Sequence, residues 1–177
     1  MQRQIGAVLG ILIAFAWSDV AAQKKMHACS LLTSNEVSDA VGEKAGRSQE
    51  SDVVITEGPS KGETMGGCMW AVGDQGMVSV SVVRAPKGSQ HEASLAQLNQ
   101  AFDALKAQGW KEERKDFSNA RCSIMTPPSS ETNAPISTGC IAEAKGMGIS
   151  VGSVSGKKKV AIEKVKALLD GAIGRLR

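Results

Sequence analysis

Four cysteines, set out in two like stretches, constrain this chain more than anything else in it. The first stretch opens at Cys29-Ser30-Leu31-Leu32-Thr33 and the second at Cys122-Ser123-Ile124-Met125-Thr126. Each leads to a Gly-Cys pair, Gly67-Cys68 and Gly139-Cys140. Behind each pair come an apolar run, a glycine turn, an alternating Ser/Val strand and an amphipathic stretch. The pattern reads as a duplicated, disulfide-stapled unit. Four cysteines in an exported chain suggest two disulfides, for which sequence alone allows three pairings. The repeat favours Cys29–Cys68 and Cys122–Cys140, one staple in each copy. On the chain-entropy account each would stabilise the fold by roughly 3 to 4 kcal/mol.

Export is read from the start of the chain. Arg3 supplies a positive charge, Ile5 to Trp17 is a run of 13 apolar residues and glycines, and Val20-Ala21-Ala22 offers small residues for cleavage. This predicts a signal peptide over residues 1–22, cut after Ala22, and a periplasmic or secreted protein. The apolar run falls short of the roughly 20 residues that span a bilayer. Residues 23–177 suffice for one domain with its own core, built of tandem units over about 28–109 and 110–177.

Composition narrows the partners. A net charge of +3 is too mild to argue for nucleic acid. With no tyrosine and three phenylalanines, the chain has little from which to build stacking platforms. Lys157, Lys158, Lys159, Lys164, Lys166, Arg175 and Arg177 make the last helix basic. That reads first as a solvated face, and functionally as a weak contact with an anionic membrane surface.

Along the chain, Thr33-Ser34-Asn35-Glu36 forms a capping box that opens a short helix ended by Gly42. Residues 43–52 read as a polar loop and residues 53–56 as a strand. Residues 67–72 read as a buried strand, joined through Gly73-Asp74-Gln75-Gly76 to an alternating strand over residues 77–84. Leu95, Leu98, Phe102 and Leu105 place an amphipathic helix over residues 90–108, ended by Gly109. A short strand is expected over residues 110–115. Residues 127–135 read as a surface loop, and residues 138–144 and 148–154 as a second hairpin turning at Lys145-Gly146. A final helix is expected over about residues 157–176. The fold class that follows is α+β: duplicated β-β-α units forming one antiparallel sheet, with helices packed mainly on one face. A groove between helices, or the bare face of the sheet, is the default ligand site.

No catalytic motif holds up. Gly148-Ile149-Ser150-Val151-Gly152 has the letters of a nucleophile elbow. However, Ser150 lies between β-branched residues in an alternating run, and no histidine follows residue 91. No Cys-x-x-Cys pair occurs, which argues against a thioredoxin-type site or a zinc knuckle. His91, in the first turn of a helix, reads as a solvated polar residue. One constellation points to a metal: Met26 and His27 before Cys29, and Met65 and Met69 around Cys68. A Cys29–Cys68 bond would gather them beside Trp70. Thioethers and an imidazole suit Cu(I), and an indole face can lie over a cation.

Ala28-Cys29-Ser30-Leu31-Leu32-Thr33-x-x-Glu36-Val37, followed by Gly67-Cys68-x-Trp70, resembles a group of uncharacterised exported bacterial proteins. These share a Cys-x-Leu-Leu-Thr-x-x-Glu-Val opening and a later Cys-x-Trp strand. The likeness covers residues 28–85 and implies an exported domain without naming an activity. Relatives carrying a lipobox differ from this chain, whose Cys29 lies too far from the apolar run. The function expected is a non-enzymatic periplasmic or secreted binding module without a cofactor. It would engage an envelope protein or a small ligand; the alternative is a periplasmic copper-binding protein.

Overall fold

The computed structural model describes residues 27–176 apart from 59, 85–88, 131–133 and 157, and gives only the backbone at 89–95, 97 and 98. The expected leader, Met26, Lys157, Arg177 and the side chain of His91 lie outside the described residues.

Seven strands form a single antiparallel sheet: β1 (Ala45–Val54), β2 (Thr64–Val72), β3 (Gly76–Arg84), β4 (Lys111–Phe117), β5 (Ala120–Thr126), β6 (Ile136–Ala144) and β7 (Met147–Ser155). Their order is β1-β2-β3-β7-β6-β5-β4. With α1 (Ser34–Val41), α2 (Ser89–Ala107) and α3 (Ile162–Arg175), this is an α+β fold. The sheet closes where the two hairpins meet, β3 against β7. Val80 stands opposite Val151, Cys68 opposite Val80, and Cys140 opposite Val151.

Alternation decides which face is buried. Val78, Val80 and Val82 of β3 and Ile149 and Val151 of β7 point to one side, with Cys68, Trp70 and Val72 of β2. Leu31, Leu32 and Val37 cover the β1–β3 end of this face, and Val165, Leu168, Leu169 and Ala172 of α3 cover the β5–β7 end. Each side chain so enclosed contributes about 1.5–3 kcal/mol.

Helix α1 starts as its sequence dictates. The Thr33 hydroxyl accepts from Glu36 N at 3.3 Å, while Thr33 N donates to Glu36 Oε2 at 2.8 Å. It ends at Gly42, whose φ of 74° a side chain would oppose. Ser38 then stitches the helix to the sheet, donating to Ser34 O and accepting from Ala45 N.

Three sequence expectations need correction. Residues 45–52, read as loop, form most of β1. This edge strand is exposed on both sides, so it lacks the period-two pattern, and its ladder to β2 alone holds it. Helix α3 begins at Ile162, five residues later than expected. Before it the chain runs extended, because the buried Thr138 hydroxyl binds Val160 O at 2.8 Å. The two Cys-x-x-x-Thr stretches adopt different structures: Cys29 lies in a 3-10 turn over Ala28–Ser30, whereas Cys122 lies in β5. The helices lie mainly on one face, as expected: α1 and α3 share it and α2 lies on the other. Asn99 accepts from Arg121 and Lys106 pairs with Glu112, both on the second face of the sheet.

Cys29 is bonded to Cys68 and Cys122 to Cys140, and no cysteine is free. The second bond joins residues directly opposite each other in β5 and β6. Two structural disulfides belong to a protein that matures in an oxidising compartment, outside the cytoplasm.

Candidate functional site

The second face of the sheet differs in kind from the first. The register lays two rows of small residues across the central strands. One row runs Gly67, Ser81, Ser150, and the next runs Ser79, Gly152, Gly139. Apolar side chains stand on either side of these rows. Val53 faces Met65 toward one end of the strands, and Ala71, Met77 and Val154 line up toward the other. Met69, Val83 and Ile141 are half-buried between them. Met77 keeps 39% and Val53 49% of their surface in solvent. At the β4–β5 end the face is covered: Met125 is 4% exposed, and α2 runs past it.

The result is a floor of small and hydroxyl-bearing residues flanked by thioether and valine side chains, with α2 reaching the face at Arg121 and Glu112. Such a surface can offer shape and apolar contact to a partner. Thioethers re-pack around different partners, and the floor hydroxyls offer rotatable donors. At the β4 edge the charges are internally satisfied. Arg114 donates to Asp116 and holds its carboxyl below the usual range, with Arg121 adding attraction.

A concavity lies at the far end of the sheet. It is a cleft of about 190 Å³ between the β2–β3 hairpin, the α1–β1 link and the segment leading into α3. Val41, Val72 and Val160 are buried around it, and Glu43, Asp74 and Lys158 stand at its mouth.

The described members of the proposed metal set are not brought together. Met65 and Met69 project onto the open face, whereas Cys68 and Trp70, alternating with them along β2, project into the core. His27 lies on the core side, 3.5 Å from Glu50, which stands opposite Cys68. The sheet therefore separates the imidazole from both thioethers. Trp70 is 1% exposed, so its indole offers no face to a cation; its Nε1 is a buried donor without a partner among the described residues. No group of three His, Cys, Asp or Glu side chains suited to a metal occurs among the described residues. Ser150 lies inside β7, an extended strand rather than a sharp strand-to-helix turn.

Three members of the basic stretch at the end of the chain are ion-paired. Lys159 pairs with Glu113, Lys166 with Asp170 and Arg175 with Glu36. Nearby, Lys115 pairs with Glu163, and its hydrogen bond holds that carboxyl below the usual range. Lys166 and Lys115 also lie over the Phe117 ring, 5.3 and 5.1 Å from its centre. Among the described residues, no helix is long and apolar enough to cross a membrane.

No protein-family profile matches the chain, and no curated protein matches it. Among solved structures, it is similar to the extracellular domain of PknH from Mycobacterium tuberculosis. The two share 14% identity and a TM-score of 0.53 over 84% of this chain and 94% of that one. At that identity the likeness is one of fold: the same architecture of sheet and helices, reached with a different sequence.

Proposed function

We propose that this protein is an exported binding module that works without catalysis and engages a component of the cell envelope through the open face of its sheet. One observation carries the reading. The central strands bury one face completely, yet the other keeps half-exposed apolar side chains on both sides of its glycine and serine rows: Met65, Met69, Met77, Val83 and Val154. Apolar side chains left in solvent on a disulfide-stapled domain support an interaction surface.

The reading includes a leader removed after Ala22, so that the mature chain begins at Gln23. It also includes descent by duplication of a hairpin unit, supported by the equivalent placing of Cys68 and Cys140 opposite the paired Val80 and Val151.

Methionine footprinting tests the reading. Oxidation rates of Met65, Met69 and Met77 are compared in the intact envelope and in the purified protein. All three should be protected in the envelope, by roughly tenfold for a fully covered surface, and Ser81→Arg should remove the protection. Equal rates in both settings would end the proposal.

A further inference from the structure

We propose that the cleft at the far end of the sheet is a separate binding site for a small zwitterion of the free α-amino-acid type, with an aliphatic side chain. Three loops close a ring around its mouth, and each lays a polar side chain against a glycine of the next. Glu43, from the α1–β1 link, rests on Gly73 of the β2–β3 hairpin so closely that a methyl there would collide with its carboxylate. Gln75 of that hairpin rests on Gly156, with Oε1 2.8 Å from where a methyl would sit. Lys158, from the segment entering α3, reaches back to Gly42 at 3.8 Å on the same measure.

Segments far apart in sequence thus present a carboxylate, a carboxamide and an ammonium group around one opening. Asp74 adds a second carboxylate at the rim. Among the described residues, Glu43, Asp74 and Lys158 have no ion-pair partner. The ring therefore holds charges of both signs that a ligand can complete.

The interior selects the rest of the ligand. Val41, Val72 and Val160 make the buried wall, with the Ser153 hydroxyl beneath. The cleft's volume of about 190 Å³ is below the 300 Å³ or so of sites for drug-sized ligands. It suits a small molecule. An ammonium at Glu43 and Asp74, a carboxylate at Lys158 and an aliphatic chain on the valines satisfy all three parts together. A purely anionic ligand would meet two carboxylates, and a purely cationic one would leave Lys158 unmatched.

Met77 and Val154 border both the cleft and the open face, and the experiment keeps the two apart through residues that belong to one alone. The purified, oxidised protein is titrated with L-leucine while backbone amide shifts are followed. The amides of residues 73–76 and 155–160 should shift saturably, with half-saturation at roughly millimolar concentration or below. Isoamylamine, which lacks the carboxylate, and 4-methylpentanoic acid, which lacks the amine, should each bind at least tenfold more weakly. Lys158→Gln and Glu43→Gln should weaken leucine binding by roughly tenfold each, the effect of losing one charge-assisted hydrogen bond, with the thermal midpoint unchanged. Ser81→Arg, on the open face, should leave the titration as it was. No saturable shift with leucine, equal binding of the one-charge analogues, or unaltered binding in both variants would overturn the proposal.

Discussion

The carboxylate of Glu36 is the point where the start of the described chain is tied to its end, and replacing it with glutamine tests how the helical layer is held. Arg175 grips it in a fork, Nη2 to Oε1 at 2.6 Å and Nη1 to Oε2 at 3.0 Å, while Nη1 also donates to Leu31 O at 2.8 Å. Thr33 adds its amide and hydroxyl, each 2.8 Å from Oε2. Led by the Arg175 hydrogen bond, these donors lower the Glu36 pKa from 4.5 to about 2. A depressed carboxyl stabilises the fold above its unfolded pKa, and the contribution is lost as pH falls through the folded value. The window therefore runs from about 4.5 down to 2.

Full conversion of that shift would give about 3.4 kcal/mol. The Glu36 and Arg175 side chains keep 36% and 41% of their surface in water, however. Solvent screening brings the expected contribution to about 1–1.5 kcal/mol. Urea unfolding of wild type and Glu36→Gln at a series of pH values measures it. The gap should be constant from neutral pH to about 5, fall to less than half by pH 3, and shrink in molar salt. Glutamine keeps a carbonyl for the Thr33 contacts, so a gap of the same size at pH 3 as at pH 7 would show that shape rather than charge holds the clasp. It would also refute the depressed pKa.

Two further outcomes follow from the staples and the turns. Cys29→Ser with Cys68→Ser opens a loop of separation 39, and Cys122→Ser with Cys140→Ser one of 18. On the chain-entropy account the first pair should lose about 4 kcal/mol and the second about 3. Denaturant midpoints that reverse this order would show that native-state packing, not loop closure, sets their worth. In the β6–β7 turn Lys145 is held at φ 54° and Gly146 at 72°. This is the type I′ geometry that favours Asn-Gly. Lys145→Asn should therefore raise the thermal midpoint by the equivalent of several tenths of a kcal/mol, less the lost hydrogen bond from Lys145 Nζ to Leu176 O. A fall of more than about 1 kcal/mol would mean that the lysine's contact with the end of α3 outweighs its backbone strain.

Elements whose periodicity matched their burial were legible in the sequence. The Val/Ser alternation of β3 and β7, the capping box at Thr33, the glycine after α1 and the Lys145-Gly146 turn each follow from local rules that the fold then obeys. What escaped was decided by distant residues. β1 carries Arg47, Ser48, Gln49 and Glu50 in succession. Only the backbone ladder of β2 makes it a strand, and no pattern of side chains records that. The late start of α3 depends on Thr138, more than twenty residues away, claiming a carbonyl that a helix would otherwise use. Cys29 and Cys122 look alike in sequence because both precede a pair of large apolar residues. In the first, that pair, Leu31-Leu32, leads directly into the cap of α1; in the second, Ile124-Met125 lies in a strand with both faces covered.

The same distinction separates the two candidate surfaces. The open face was half legible, because serines and glycines alternating with valines in β3 and β7 already say that one side of the sheet is poor in side chains. What the alternation could not say is that α2 would stop at the β4–β5 end and leave Met65, Met69 and Met77 half-exposed. Period two also undoes the metal constellation: residues 65 and 69 share a face from which 68 and 70 are excluded, so a disulfide at Cys68 draws His27 to the side that the methionines leave. The cleft could not have been read at all. Its wall and mouth come from Val41 and Glu43, from Val72 and residues 74–77, and from residues 153–156 with Lys158 and Val160, three stretches without a common motif, brought within reach of one another only when β3 pairs with β7. A binding site of that kind is a property of the closed sheet. Substitutions that loosen the β3–β7 pairing, such as at Val80 or Val151, should therefore weaken leucine binding before they unfold the protein.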